Sequence, residues 1–176
     1  MKIFLTKKEI DEIPTEAVLL TFFSDEKPLK GELGLLDWRM NGYISKQLEK
    51  EKIKGNLGEN TLILASPKLN LKKIYLFGMG TTKDLSEEKI DTVIDQIKNM
   101  VSGMNPNKFS FALSRNITDR KAYRKFLKYF FNSFAVTLKE KIEAIYFHYE
   151  RDEEKEALLP LKSNNIKLYE ERTGNL

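Results

Sequence analysis

The sequence contains no cysteine and a single histidine, and these two scarcities exclude several classes of site. Without thiols the chain has no disulfide framework, no thiolate metal site and no cysteine nucleophile. One histidine, His148, cannot build a histidine-rich metal site or a catalytic triad without a second anchor, so we assign it a structural role. The lack of cysteine also favours a reducing, cytoplasmic setting.

Long apolar runs are missing as well. The longest apolar segment, Ala17 to Phe23, is far shorter than the about 20 residues that a membrane-spanning helix needs. Charged residues follow the first apolar residues too soon for a signal peptide. The 30 basic residues nearly balance the 26 acidic ones, leaving a net charge of +4 that permits nucleic-acid binding without requiring it. We therefore expect a soluble protein with no membrane association.

Strand-like and helix-like patterns alternate along the 176 residues, which fit one domain spanning 1–176. This alternation predicts a three-layer α/β/α fold with a mixed, mostly parallel sheet. Ala17 to Phe23 is predicted to be a central strand and Lys2 to Leu5 an edge strand. The runs Leu62 to Ala65 and Ile74 to Phe77 are unbroken rather than alternating. They predict strands that helices cover on both faces, in the middle of the sheet.

Three helices follow from stripes of apolar residues. The first is predicted from Leu35 to about Lys50, with Gly42 inside it. The second is predicted to begin with a Ser86 cap, to carry a stripe from Ile90 to Val101 and to stop near Gly103. The third spans about 118–139, and we interpret its aromatic stripe as core rather than a cofactor site. The remaining predicted elements are strands at 108–113, 143–149 and 166–169 and a helical turn at 152–161.

Glycine-containing landmarks occur in a fixed order in the first 90 residues. They are Gly42-x-Ile44-Ser45, Gly55-Asn-Leu-Gly58-Glu59, Ile74-Tyr-Leu-Phe-Gly78-Met-Gly80 and Leu85-Ser86-Glu87-Glu88. Over about 35–101 this combination resembles the N-terminal domain of the leucyl aminopeptidases, the M17 peptidase family. The resemblance implies a fold similar to the macro domain.

The same resemblance implies a function without catalysis by this chain. In the family, the metal ions and the catalytic residues lie in a large C-terminal domain, and these 176 residues contain no segment of that type. We therefore predict no catalytic residue, no metal site and no cofactor. The predicted function is that of a stand-alone assembly or regulatory module. Its predicted partners are further copies of itself or a separate aminopeptidase catalytic chain.

The segment Gly78-Met79-Gly80-Thr81 is a candidate ligand loop. It lies between a strand and a helix, where backbone N–H groups can bind phosphate. It lacks the third glycine of the dinucleotide fingerprint, and a plain turn is the competing interpretation. Because loops of macro-like folds contact ADP-ribose, the first alternative function is binding of ADP-ribose or a nucleotide-like molecule. The loop at 24–34, which we expect to be exposed, would contribute from the end of another strand.

A basic helix face suggests a second alternative function. At 100° per residue, five cations fall within one arc of the third predicted helix, beside its apolar stripe. They are Arg120, Lys121, Arg124, Lys125 and Lys128. Such a face can bind a nucleic-acid backbone, although a solvated helix face is the competing interpretation.

Three carboxylates, Glu32, Asp37 and Glu59, could also serve acid–base chemistry or a hard metal, but loop and cap roles explain them with fewer assumptions.

Overall fold

The computed structural model describes residues 1–138, 140–149 and the strand at 168–170. The helical turn predicted at 152–161 lies outside the described residues. Seven strands and four helices occur in the described part of the chain. They are β1 (Lys2–Thr6), β2 (Thr15–Phe22), α1 (Gly31–Arg39), α2 (Tyr43–Glu49), β3 (Asn60–Leu64), β4 (Leu71–Gly78), α3 (Ile90–Met104), β5 (Lys108–Ala112), α4 (Arg120–Thr137), β6 (Ala144–His148) and β7 (Leu168–Glu170).

The strands form one sheet in the order β3-β4-β2-β5-β6-β1-β7. All its pairings are parallel except the antiparallel pairing of β3 with β4, so the predicted mixed, mostly parallel sheet is confirmed. β2 pairs with β4 and β5, which confirms the central strand predicted at Ala17 to Phe23. The predicted edge position of Lys2 to Leu5 is wrong, because β1 lies between β6 and β7. Sheet position depends on pairing between distant segments, which a local pattern does not contain.

The position predicted for the run Leu62 to Ala65 is also wrong. β3 is the outermost strand on its side of the sheet and pairs with β4 alone in the described structure. Only Ile63 is buried, at 6% exposure, whereas Leu62 is 51% and Leu64 is 71% exposed. The run is apolar on both faces although a helix covers only one of them. This is why its pattern matched that of a fully covered strand.

The helices cover both faces of the sheet and complete the predicted three layers. On one face, α3 contributes the buried stripe predicted from Ile90 to Val101, and α4 contributes its aromatic side chains. Phe130 of α4 stacks on Phe111 of β5 at 4.3 Å between ring centroids, which confirms the aromatic stripe as core. On the other face, Leu36 of α1 and Ile44 of α2 pack against a second cluster from β2 and β4.

The single helix predicted from Leu35 to Lys50 is wrong, because the chain breaks it into α1 and α2. Asn41 and Gly42 both adopt left-handed backbone conformations, with φ of 57° and 71°. The Asp37 carboxylate then accepts hydrogen bonds from the N–H groups of Ile44 and Ser45, at 2.7 and 3.1 Å. The apolar spacing survives the break because both helices pack on the same cluster, so periodicity alone does not reveal it.

Both predicted ends of α3 are shifted in the structure. The helix begins at Ile90, and the Ser86 carbonyl instead accepts the N–H of Lys89 in a preceding turn. The helix continues through Gly103 to Met104, where Asn105 ends it in a left-handed conformation with φ of 47°. Among the described residues, no helix is both long and apolar enough to span a membrane.

Candidate functional site

The carboxyl ends of β2, β4 and β5 lie at the same edge of the sheet because the three strands are parallel. The loops that follow these strands enclose a cleft of about 280 Å³. Its lining residues are Asp25, Lys27, Lys30, Thr82, Asn116 and Thr118. The structure therefore brings the loop at 24–34 together with the segment that follows Gly80. We call this feature the strand-end cleft.

Hydrogen bonds accepted by two carboxylates hold the loops that form the strand-end cleft. The Asp25 carboxylate accepts the N–H and the hydroxyl of Thr82, at 2.9 and 2.7 Å. Asp84 accepts the N–H and the hydroxyl of Thr81 in the same way, at 3.1 and 2.7 Å. The Thr82 hydroxyl lowers the pKa of Asp25, and the Thr81 hydroxyl lowers the pKa of Asp84. Both carboxylates are therefore held ionised, as hydrogen-bond acceptors that order the loops.

The candidate ligand loop Gly78 to Thr81 lies behind this cleft, and its backbone N–H groups already have acceptors. Gly78 donates to the Glu59 carbonyl at 2.8 Å, Met79 to Phe22 at 2.9 Å and Gly80 to Gly55 at 3.0 Å. Thr81 donates to the Asp84 carboxylate at 3.1 Å. A phosphate bound by these groups would compete with four existing hydrogen bonds.

The glycines of this loop have a packing role in the structure. A Cβ atom on Gly78 would overlap the Asn56 carbonyl and lie 2.6 Å from the Gly55 carbonyl carbon. Gly80 has φ of 76°, in the left-handed region. The turn at 55–58 thus packs directly against the end of β4, and glycine is required for that close approach.

A buried carboxylate that the sequence did not reveal lies at the base of the loop after β2. Glu26 is 3% exposed, although it belongs to the segment 24–34 that we predicted to be exposed. It accepts hydrogen bonds from the Ser114 hydroxyl at 2.7 Å and from the N–H groups of Phe23 and Lys30, each at 3.3 Å. The hydroxyl residues at the ends of β2 and β5 were the available signal, since Thr21 also accepts the N–H of Ser114 at 2.8 Å.

The three carboxylates considered for acid–base chemistry have local structural roles instead. Glu32 accepts the N–H of Ile10 at 2.9 Å, and Asp37 caps α2. Glu59 accepts the N–H groups of Lys54 and Asn56, at 2.9 and 3.1 Å. No group of three His, Cys, Asp or Glu side chains in the described ranges is arranged to hold a metal ion.

His148 is buried between β1 and β5. Its Nδ1 lies 2.9 Å from the Lys8 carbonyl, and its Nε2 lies 3.1 Å from the Ser110 hydroxyl. Burial lowers the pKa of His148 to about 4, so the ring is neutral at physiological pH. In the neutral ring, Nδ1 donates to the carbonyl and Nε2 accepts from the hydroxyl, which gives His148 the structural role assigned from the sequence.

The five cations of α4 differ in their surroundings. Arg120, Lys121 and Lys128 are exposed, while Arg124 and Lys125 are half-buried. The Lys125 ammonium donates to the Glu87 carbonyl at 2.5 Å and lies 5.6 Å from the centre of the Tyr129 ring. Part of the predicted basic face therefore links α4 to the segment before α3.

The outer strand β3 forms a second candidate site, which we call the open edge. The N–H of Ala65 donates to the Lys72 carbonyl, so Thr61, Ile63 and Ala65 direct their backbone groups towards β4. By alternation, Asn60, Leu62 and Leu64 direct theirs away from the sheet. A groove of about 230 Å³ lies between β3 and α3, and one of about 560 Å³ lies between the end of β3 and the α1–α2 junction.

The family model for the N-terminal domain of the cytosol aminopeptidase family matches residues 18–128. The chain belongs to the cytosol aminopeptidase family. A probable cytosol aminopeptidase of Alkaliphilus oremlandii is 33% identical over 90 residues, which cover 51% of this chain and 18% of that protein. The match thus spans about a fifth of the length of this relative.

Solved structures place this aminopeptidase N-terminal domain among macro-like folds. A mutant of tomato leucine aminopeptidase superimposes with a TM-score of 0.60 at 12% identity, covering 89% of this chain and 34% of that one. The macro domain of ganglioside induced differentiation associated protein 2 superimposes with a TM-score of 0.71 at 16% identity, covering 91% and 82%. The predicted macro-like fold is confirmed. The matched range 18–128 includes both the strand-end cleft and the open edge.

Proposed function

We propose that this chain is a non-catalytic homologue of the cytosol aminopeptidase N-terminal domain that acts as an assembly or regulatory module. The observation that supports this proposal is the open edge, where Leu62 and Leu64 are exposed beside backbone groups that have no partner among the described residues. The proposed partners are further copies of the chain or a separate aminopeptidase catalytic chain, and the proposed location is the cytoplasm.

An outer strand of this kind favours association for a physical reason. Exposed strand edges pair readily with other chains, and proteins usually protect them with charges, proline or bulges. The segment from Asn60 to Ser66 contains neither charged residues nor proline. Complete burial of a leucine side chain is worth about 1.5–3 kcal/mol, so covering Leu62 and Leu64 would contribute about 1–2 kcal/mol each.

Analytical ultracentrifugation of the full chain tests the proposal. The chain is measured alone and after mixing with a purified aminopeptidase catalytic chain from the same organism. Leu64→Lys places a charge on the open edge, whereas Val136→Lys changes a side chain that is 80% exposed on α4. We expect Leu64→Lys to weaken association at least about tenfold, which corresponds to about 1.4 kcal/mol, and Val136→Lys to leave it unchanged. A chain that associates neither with itself nor with the catalytic chain contradicts the proposal.

The strand-end cleft supports a second candidate function, the binding of ADP-ribose or a similar phosphate-containing small molecule. Lys27 and Lys30 supply positive charge at one wall, and Asn116 and Thr118 supply polar groups at the other. Isothermal titration with ADP-ribose tests this function. Binding should weaken in a Lys27→Ala/Lys30→Ala variant and persist in Val136→Lys. A flat titration at millimolar ligand would exclude it.

A further inference from the structure

We infer that the open edge pairs with the open edge of a second copy of this chain, antiparallel and around a two-fold axis that passes beside Leu62. The two sheets would then form one continuous sheet across the dimer. This inference rests on the proposed association function and names its partner.

The backbone of β3 provides the pairing groups. Its three outward-facing residues, Asn60, Leu62 and Leu64, are spaced two apart, as an antiparallel partner requires. A two-fold axis beside Leu62 places Leu62 opposite its copy and Asn60 opposite Leu64 of the second copy. Each of these three pairs exchanges two backbone hydrogen bonds, so this register uses every outward-facing group of the strand. A shift by two residues in either direction would leave part of β3 unpaired.

The side chains agree with the same register. By strand alternation Leu62 and Leu64 share one face of β3, opposite the buried Ile63, and Leu62 lines a groove with Tyr75, Met100 and Met104. Pairing would place Leu62 against its copy and Leu64 diagonally beside Leu62 of the second copy. The two leucines of the strand would thus cover their counterparts in the second copy, and the apolar groove would extend across the axis.

Charge complementarity favours a second copy as the occupant. Because β3 itself is uncharged, the two-fold axis brings no like charges into contact. In this register Glu59 of the second copy lies opposite Ala65. Within its own sheet, Ala65 pairs with the exposed Lys72 of β4. The Glu59 carboxylate would keep its hydrogen bonds to the N–H groups of Lys54 and Asn56 and would add a charge opposite to that of Lys72 on the same face as Ala65, twice per dimer.

Single cysteines test the register directly, since the natural chain has none. In a hydrogen-bonded antiparallel pair the Cα atoms are about 5.5 Å apart, within the range that a disulfide spans. Leu62→Cys should therefore oxidise to a covalent dimer. Leu64→Cys should not, because its copy would be displaced by four residues, about 14 Å along the strand. A mixture of Asn60→Cys and Leu64→Cys should give the mixed covalent dimer. Val136→Cys is the control that measures disulfide formation by random collision of chains.

Light scattering tests the non-covalent dimer. We expect the unmodified chain to have twice the monomer mass, Leu62→Lys to raise the dimer dissociation constant at least tenfold, and Val136→Lys to have no effect. Circular dichroism checks that each variant is folded. A monomeric unmodified chain, a dimer that persists in Leu62→Lys, or Leu62→Cys cross-linking no faster than Val136→Cys would each overturn the inference.

These outcomes also separate the inference from the proposed function. A monomeric chain that binds a catalytic chain through the open edge would overturn self-pairing and leave the association function standing. A chain that binds neither itself nor a catalytic chain would overturn both.

Discussion

The substitution Gly78→Ala tests whether the turn at 55–58 packs backbone against backbone on the end of β4. A Cβ at Gly78 would lie 2.6 Å from the carbonyl carbon and 2.9 Å from the Cα of Gly55, and would overlap the Asn56 carbonyl. These neighbours are backbone atoms, so no side-chain rotation relieves the overlap. The turn at 55–58 would have to move away from the end of β4.

The size of the effect follows from the contacts that such a movement breaks. Overpacking alone costs about 1–3 kcal/mol. The Gly58-to-Gly78 and Gly78-to-Glu59 hydrogen bonds, at 2.9 and 2.8 Å, would also weaken, each with a net value of about 1 kcal/mol. We therefore expect Gly78→Ala to lower the free energy of unfolding by about 3 kcal/mol or more, a large part of the 5–15 kcal/mol typical of a folded domain.

Urea denaturation measures this change, and Gly103→Ala provides the matched control. Gly103 lies within α3, and a Cβ there would meet no atom within 4 Å. Alanine is favoured over glycine inside helices, so Gly103→Ala should raise the free energy of unfolding by about 0.5–1 kcal/mol. A loss below about 1 kcal/mol in Gly78→Ala would refute the packing argument.

Three further changes have defined outcomes. The pKa of His148 is about 4 in the folded chain and 6.5 in the unfolded one, so the unfolded state binds a proton first as the pH falls. The free energy of unfolding should therefore fall by up to about 1.4 kcal/mol per pH unit between pH 6.5 and 4. In His148→Gln, the free energy of unfolding measured by urea denaturation should no longer depend on pH in this way. An NMR titration that places the pKa of His148 near 6.5 in the folded chain would contradict this prediction. Asp37→Ala removes the cap of α2 and should cost about 2 kcal/mol by thermal unfolding, whereas a loss under about 0.5 kcal/mol would show that the cap is dispensable. If the basic face of α4 binds nucleic acid, Lys121→Glu/Lys128→Glu should abolish a salt-dependent gel shift; no shift of the unmodified chain at low salt would end that hypothesis.

The elements that short-range apolar spacing reveals could be predicted from the sequence. The stripe from Ile90 to Val101 and the aromatic stripe of α4 are regular and long, so each predicts one buried helix face. The run Ala17 to Phe23 is dense in apolar residues and lies at the centre of the sheet. The glycine landmarks carried the resemblance to the family, and the structure shows that one of them, Gly78, meets a close backbone approach that requires glycine.

The candidate sites depended on contacts between distant segments. Glu26 reads as an exposed loop residue until Ser114, 88 positions away, supplies its hydrogen bond. The strand-end cleft exists only because parallel pairing brings the ends of β2, β4 and β5 to one edge. The sequence determined the class of fold and the helix faces, since these follow from local spacing, and its motifs carried the resemblance to the family. The tertiary structure alone decided that β3 is an open edge, because strand order is set by long-range pairing and an apolar run has the same pattern at the centre of a sheet as at its rim.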